Sequence, residues 1–264
     1  WGFAHGTGLP EIDYFLADPI AIQPGERQFY AEKIIDLPCI ITYEAPESYD
    51  LKGPSPAPCK RNGYITYGCF ARYEKLSAEC LQAFGEILRR VPDSRLEFKD
   101  AAFRRPHSIR RVMQIMNRGP VCPTCKGEPV SSGFRCSHCD ATGYTCVERI
   151  APERLLFSGP TDHRDHLLSY QGCDIMLSPW PHSGGCVTCE VLWAGVPLVT
   201  LHGSQPSARS GSSVLTAMGR TNWIAKTPEQ YIDIAVMMAQ DCKPLNEVRK
   251  PLRDEFLNSP VVAG

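Results

Sequence analysis

The sequence predicts an α/β fold built on a doubly wound parallel sheet, interrupted by a small zinc-ribbon-like insertion. Three observations carry this expectation. β-rich runs alternate with runs of helical period through most of the chain, joined by short Gly- and Pro-marked loops, as in repeated βαβ units. One stretch, 120–148, breaks the alternation with five cysteines and few aliphatic residues. The composition, 43% hydrophobic and 22% charged, is that of a folded globular chain.

Residues 1–50 read as loop, a short strand and a turn at Pro24-Gly25. Over 51–61, LKGPSPAPCKR carries three prolines. Proline fixes φ and removes a donor, so the stretch reads as a stiff linker. YITYGCF, 64–70, is a short strand. A helix follows over 77–91, with Leu81, Phe84, Leu88 and Val91 at helical spacing and Ser77 placed as its N-cap. RLEFK, 95–99, is the next strand, and 106–117 the next helix, with Pro106 acceptable in its first turn. After the insertion come a strand at 154–158, a helix at 163–170 and a strand at 174–177. The loop WPHSGG leads to a helix at 188–194 and a strand at 197–201. Helices near 208–218, 228–240 and 245–257 finish the chain. Ligands of such sheets bind beyond the carboxyl ends of the strands, so chemistry is expected in the strand-to-helix loops.

With 28 basic and 29 acidic residues the net charge is −1, which excludes a nucleic-acid surface as the main business of the chain. The insertion itself has no basic excess. No apolar run approaches the ~18 residues of a membrane span. Thirteen cysteines, an odd number, without a signal peptide speak against a complete disulfide framework and for a reducing, cytoplasmic compartment with some metal binding. The chain opens on Trp1 in loop-like sequence, as a fragment or a processed form of a longer protein would.

Cys122 and Cys125 form one CxxC pair, and Cys136 and Cys139 a second, ten residues further on. Two such turns complete a tetrahedral thiolate set for zinc, closed to substrate and therefore structural. A segment without a hydrophobic core needs that metal to fold. The alternatives are two local disulfides or four uninvolved thiols. His138 and Cys146 are spare ligand candidates. The text CPTCKGEP…CSHCDATGY resembles zinc ribbons and one zinc site of the DnaJ cysteine-rich region.

Cys186 and Cys189 also stand two residues apart, and could be read as a redox pair or, with His182, as a metal site. The whole loop offers another reading. Ser183-Gly184-Gly185 lets the backbone approach a ligand, and the following helix presents free N–H groups and a positive dipole end, a combination suited to a diphosphate. Glu190, in the first turn, can accept hydrogen bonds from a ribose. An ordinary tight turn is the plainer alternative.

SGGCVTCEVLWAGVPLVTL resembles the donor-site segment of the O-linked N-acetylglucosamine transferase family. GTGLPEIDYFLADPI, YITYGCFARYEKLS, VPDSRLEFK, ERLLFSG, DHLLSYQGCDIMLSPWPHSGG, SARSGSSVLTAMG and WIAKTPEQYIDIAV match that family's order and spacing. The resemblance covers nearly the whole chain outside the insertion, and bacterial members with tetratricopeptide repeats are similar in style. It implies a two-lobed GT-B architecture that moves a sugar from a uridine diphosphate (UDP) sugar to protein Ser or Thr without a metal in the reaction. Residues 1–58 would then be the tail of an amino-terminal lobe with a linker, 59–119 and 149–264 the Rossmann-like nucleotide-sugar lobe, and 120–148 the insertion. Lys75 is similar to the lysine that neutralises the leaving diphosphate, His166 to the histidine near the uracil, and Glu190 to the acidic residue on the ribose. Gly184 and Gly185 match the loop under the diphosphate.

Four departures mark the site. Arg72 stands where the family commonly has Gln or Asn, and His163 where a lysine often precedes the uracil histidine. Cys186-Val187-Thr188 replaces paired threonines, and Gly2-Phe3-Ala4-His5-Gly6 replaces Gly-Tyr-Pro-Gly-Thr. The resemblance implies a UDP-sugar, an acceptor protein, and an upstream lobe with tetratricopeptide repeats as partners. Little transfer is expected from these 264 residues alone, which carry mainly the donor half of the cleft. A rival expectation, favoured by the substitutions, is an inactive nucleotide-binding or adaptor protein whose zinc ribbon contacts a partner.

Overall fold

The structure is a computed structural model that describes residues 5–46, 49, 53–126, 139 and 143–262. Two short strands open the chain, β1 (Tyr14–Ala17) and β2 (Lys33–Asp36), paired in parallel with Tyr14 opposite Lys33. There follow α1 (Cys59–Asn62), β3 (Thr66–Cys69), α2 (Ala78–Arg90), β4 (Arg95–Lys99) and α3 (Pro106–Met116). Beyond the cysteine segment come β5 (Leu155–Ser158), α4 (His163–Tyr170), β6 (Ile175–Leu177), α5 (Cys186–Trp193) and β7 (Leu198–Leu201). The chain closes with α6 (Ser210–Ala217), β8 (Ile224–Ala225), α7 (Pro228–Met238) and α8 (Cys242–Leu257).

The main sheet runs β5-β4-β3-β6-β7-β8, with every pairing parallel. Chain order runs outward from β3 to β5, then jumps back and runs outward again from β6 to β8. The switch point therefore lies between β3 and β6, and the crevice beyond their carboxyl ends is where such a sheet binds ligands. Both strands are buried throughout, as strands covered by helices on both faces must be. Phe84, Leu88, Phe98, Tyr67 and Tyr231 fill one side under α2, α3 and α7. Leu192, Val191, Val214, Leu252 and Phe256 fill the other under α5, α6 and α8.

The helices start where the sequence places caps. Ser77 accepts from the Cys80 N–H (3.1 Å), and Asp162 caps α4 through the Asp165 N–H (2.9 Å). Four details differ from expectation. First, α5 begins at Cys186, two residues before 188, because Gly185 rather than Val187 takes the non-helical cap position. Second, β8 has only two residues, too few to show any period. Third, the stretch read as linker is partly built into the sheet domain. Ala57, Pro58 and Cys59 are buried, the Ala57 N–H donates to Asn246 Oδ1 (3.0 Å), and the buried Asp174 carboxylate accepts from the Cys59 (2.9 Å) and Thr66 (2.8 Å) N–H groups. Fourth, Cys59 and Cys242 form a disulfide, a pairing that the reading against a complete disulfide framework did not single out. The amino-terminal segment docks on the sheet domain through Asp18, which accepts from Ser213 Oγ (3.0 Å), and through Arg209, whose guanidinium pairs with Glu26 (2.5 and 2.8 Å). Among the described residues no helix is long and apolar enough to cross a membrane.

Candidate active site at the switch point

Beyond β3 the chain turns through Phe70, Ala71 and Arg72 into a 3-10 turn, Tyr73–Lys75, before α2 starts. Beyond β6 it runs from Ser178 to Gly185 before α5 starts. Lys75 joins the two loops, its Nζ donating to the Ser183 carbonyl (3.1 Å). Burial, and then the nearby Arg72 charge, hold the Lys75 ammonium below its ordinary value of 10.5. Between the loops lies a cavity of ≈240 Å³ lined by Phe70, Arg72, Lys75, Gly184, Val187 and Thr188, among others.

The second loop is pinned from below. Ser183 Oγ accepts from the Gly211 N–H (3.3 Å) and donates to the Ser207 carbonyl (3.4 Å). Thr188 Oγ1 donates to the Gly184 carbonyl (2.8 Å), and a side chain at Gly184 would stand 3.2 Å from that hydroxyl. In the first turn of α5 the Cys186 and Val187 N–H groups have no carbonyl behind them, so the helix offers donors and the positive end of its dipole at the cavity. The structure thus brings Arg72, Lys75, Ser183, Gly184, Gly185, Val187 and Thr188 together, but the Ser183 and Thr188 hydroxyls hold the loop itself. Cys186 is exposed at the helix start. Cys189 is fully buried in the core and burial pushes its thiol up, the opposite of the accessible, acidic thiol that redox exchange uses.

A second cluster adjoins the first. Glu190, with 14% of its side chain exposed, accepts from Tyr170 Oη (2.9 Å) and faces His163 Nε2 (3.2 Å). His166 Nε2 lies 2.9 Å from Tyr170 Oη, and His163 Nδ1 3.3 Å from Tyr49 Oη. Burial holds the His166 imidazole below its ordinary 6.5, against the opposing pull of Glu190. Phe70 connects the clusters: it lines the cavity, stacks on Tyr170 (5.2 Å between centroids) and sits 5.9 Å from the His166 ring. Lys99, almost wholly buried at the end of β4, places its ammonium 5.7 Å from the Phe70 ring centroid. Sequence reasoning missed Phe70, Tyr170, Lys99 and Tyr49. The i, i+4 spacing of His166 and Tyr170 could have nominated Tyr170. The Tyr49–His163 contact spans 114 residues and leaves no local mark.

Away from both clusters, Cys122, Cys125 and Cys139 gather, their sulfur atoms all within 4.8 Å of one another. Cys136 and His138 lie outside the described residues. Cys146 is exposed and stands outside that group, so it is not brought to the sulfur cluster.

A parallel doubly wound sheet with a glycine loop, a helix start and two cations at its switch point is the carboxyl-terminal Rossmann-like lobe of a GT-B glycosyltransferase. The profile described as glycosyl transferase family 41 matches residues 138–263. The chain is 33% identical over 269 residues to the barley (Hordeum vulgare) protein named "Probable UDP-N-acetylglucosamine--peptide N-acetylglucosaminyltransferase SPINDLY", covering 100% of this chain and 25% of the relative. It is 25% identical to the Arabidopsis thaliana SEC protein of the same named activity, covering 98% of this chain and 24% of that one. The Thermobaculum terrenum O-GlcNAc transferase, solved as its K341M mutant, superposes with a TM-score of 0.75 at 28% identity, over 96% of this chain and 42% of that one. The chain belongs to the O-linked N-acetylglucosamine transferases of glycosyl transferase family 41, as the carboxyl-terminal part of the catalytic region. It spans about a quarter of the length of the curated relatives it matches.

Proposed function

We propose that this chain is the donor-binding part of a protein O-glycosyltransferase that moves N-acetylglucosamine, or a related hexose, from a UDP-sugar to Ser or Thr of an acceptor protein. The observation that carries the reading is Lys75 bridging the two switch-point loops beside the open start of α5. In the step, the acceptor oxygen bonds to the anomeric carbon as the bond from that carbon to the diphosphate breaks. The acceptor hydroxyl passes its proton to the departing diphosphate, directly or through water, and the electron pair of the broken bond leaves with UDP. Lys75, Arg72 and the Cys186 and Val187 N–H groups meet the negative charge of the diphosphate where it develops. His166, neutral above its lowered value, lies beside the base, and Glu190 takes the ribose hydroxyls. No metal enters the reaction, and the zinc expected on Cys122, Cys125, Cys136 and Cys139 is structural.

Upstream lobe, tetratricopeptide repeats and acceptor protein complete the reading, and nucleic acid and membrane stand outside it. Ten described cysteines outside any disulfide, against one bridge, favour a reducing compartment, the cytoplasm. The test is transfer by the protein with its upstream sequence present. Incubation with UDP-N-acetylglucosamine and an acceptor should add an N-acetylhexosamine to Ser or Thr, detected by mass spectrometry and lost in Lys75→Ala. Donor hydrolysis alone, or no reaction, contradicts the proposal. One observation favours the second reading, an inactive nucleotide-binding adaptor. With Thr188 bound to the Gly184 carbonyl and hydroxyls missing at Cys186 and Val187, the loop presents no side-chain hydroxyl to a diphosphate.

A further inference from the structure

A basic surface borders the donor crevice and has no part in the donor chemistry. Between 101 and 114 the chain carries Arg104, Arg105, His107, Arg110 and Arg111 and no Asp or Glu, in a protein of net charge −1. The fold decides where these residues stand. A 3-10 turn, Ala101–Arg104, leaves the carboxyl end of β4, and α3 starts at Pro106 directly after it. β4 lies beside β3 in parallel, so this turn shares a rim with the Lys75 turn. In α3, Ser108, Val112, Ile115 and Met116 are buried against the lobe. His107, Arg110 and Gln114, three and four residues apart, are therefore turned outward and are exposed.

Contacts join this surface to the loops on either side. The Arg111 guanidinium donates to the Leu76 carbonyl (3.4 Å) and lies 5.3 Å from the Tyr73 ring centroid, bracing the turn that carries Lys75. Tyr73 and Phe103 meet edge to face, 5.9 Å between centroids. On the other side, a side chain at Gly159, just beyond β5, would stand 3.0 Å from Arg104 Nε. The surface thus crosses the end of β4 from the β3 turn to the β5 turn.

Its charges are not neutralised within the lobe. Among the described residues no carboxylate forms an ion pair with Arg104, Arg105, Arg110 or Arg111. Asp100, the neighbouring acid, accepts from the Ala102 N–H instead (2.9 Å). Arg105 and His107 also stand at the positive end of the α3 dipole, whose first turn holds no acid. Cations gathered there repel one another and the helix end, a cost that an anionic partner would remove. Nucleic acid is a poor match, because α3 has no aromatic ring on which a base could stack. No large apolar side chain of 101–114 is exposed to enter a bilayer. A polypeptide with clustered carboxylates suits guanidinium forks, and this rim is where an acceptor must arrive to reach the donor.

We propose that Arg104, Arg105, His107 and Arg110 form a docking surface for an acidic segment of the acceptor protein, held there while its Ser or Thr enters the crevice. The acceptor role rests on the proposed function; the affinity for an acidic peptide does not.

The test begins with the purified chain and a fluorescein-labelled peptide of one Ser between two runs of Glu, beside a twin with Gln for Glu. Fluorescence anisotropy should show the Glu peptide binding at least about tenfold more tightly than its twin, and less tightly as salt rises. Arg104→Glu, Arg105→Glu and Arg110→Glu combined should weaken the Glu peptide at least about tenfold, with the melting curve in place and UDP affinity within about twofold. Lys60→Glu with Arg61→Glu, on α1 at the opposite rim, should leave the peptide affinity within about twofold. Equal binding of the two peptides, or equal weakening by both sets of reversals, overturns the surface. Tighter binding of a single-stranded RNA oligonucleotide or a phosphatidylserine vesicle overturns a protein as its partner. With the upstream sequence present, the triple reversal should raise KM for an acidic acceptor about fivefold or more at unchanged kcat. Loss of UDP binding by that variant would show that the upstream lobe covers the arginines, and overturns the acceptor as occupant. Wild-type chain that holds the Glu peptide but no UDP removes the donor reading and leaves the docking surface standing.

Discussion

The proposed donor loop at 178–188 and the described arms of the cysteine segment, 120–126 and 143–146, are held in opposite ways. The donor loop is positioned from outside itself. Lys75 reaches it from 108 residues away, Ser207 and Gly211 hold Ser183, and the flanking β6 and α5 are buried in a carbon core. The described arms of the cysteine segment are tied by the Thr145 N–H to the Pro120 carbonyl (2.9 Å) and the Val121–Tyr144 bridge, beside which Cys122, Cys125 and Cys139 bring their sulfur atoms within 4.8 Å of one another. The difference shows two routes to a rigid loop. A large parallel sheet can lend its packing to a loop at its switch point, whereas an insertion beyond the sheet must bring its own centre.

The comparison breaks most easily at the carbon core. Phe84 is fully buried, with the rings of Phe98, Trp180 and Tyr231 centred within 6.3 Å. Phe84→Ala should lower unfolding free energy by about 3–5 kcal/mol in denaturant titration and release the donor loop with it. A loss below about 1 kcal/mol would show that the core does not hold the lobe. The Cys59–Cys242 bridge comes next. It closes a span of 183 residues and ties α1 to α8, so Cys242→Ser should cost about 2–4 kcal/mol. An unchanged midpoint would mean that packing alone seats α1. Ser77→Ala removes the cap next to the Lys75 turn and should cost about 1 kcal/mol by the same measurement.

The smallest effect is set by pH. Burial depresses the His166 pKa in the folded state, so its contribution to stability is present above 6.5 and lost as pH falls through the lowered folded value. Melting curves of the wild type and His166→Asn should therefore move together at neutral pH and apart only below 6.5, with the wild type losing more. Parallel curves down to pH 5 would contradict that burial.

Much of the lobe was legible because its signals are local. The strand Arg95–Lys99 and the helix His163–Tyr170 fall where composition and period placed them, and Ser77 caps as its position implied. What was missed depends on residues far apart in sequence. Nothing near Cys59 announces Cys242, and nothing near Ala57 announces Asn246. The parallel pairing of β1 with β2 needs the whole intervening crossover before its register exists. The candidate site divides the same way: the glycine loop was visible as a motif and Lys75 only through the family resemblance, while Phe70 and Tyr170 between the clusters follow from packing. The Thr188 hydroxyl, in the triplet that replaces the family's paired threonines, closes on the Gly184 carbonyl, a contact set by loop geometry.

The central claim, a donor loop pre-formed around Lys75, is tested most directly by calorimetric titration of UDP onto this chain and its Lys75→Ala variant. Micromolar binding by the wild type, at least about tenfold weaker in the variant, is the expected result, a difference of about 1.4 kcal/mol. Because the Lys75 pKa is lowered from 10.5, wild-type affinity should also fall as pH rises through that lowered value, where the ammonium loses its proton. No binding by the wild type, or equal binding by both proteins at every pH, would contradict the account.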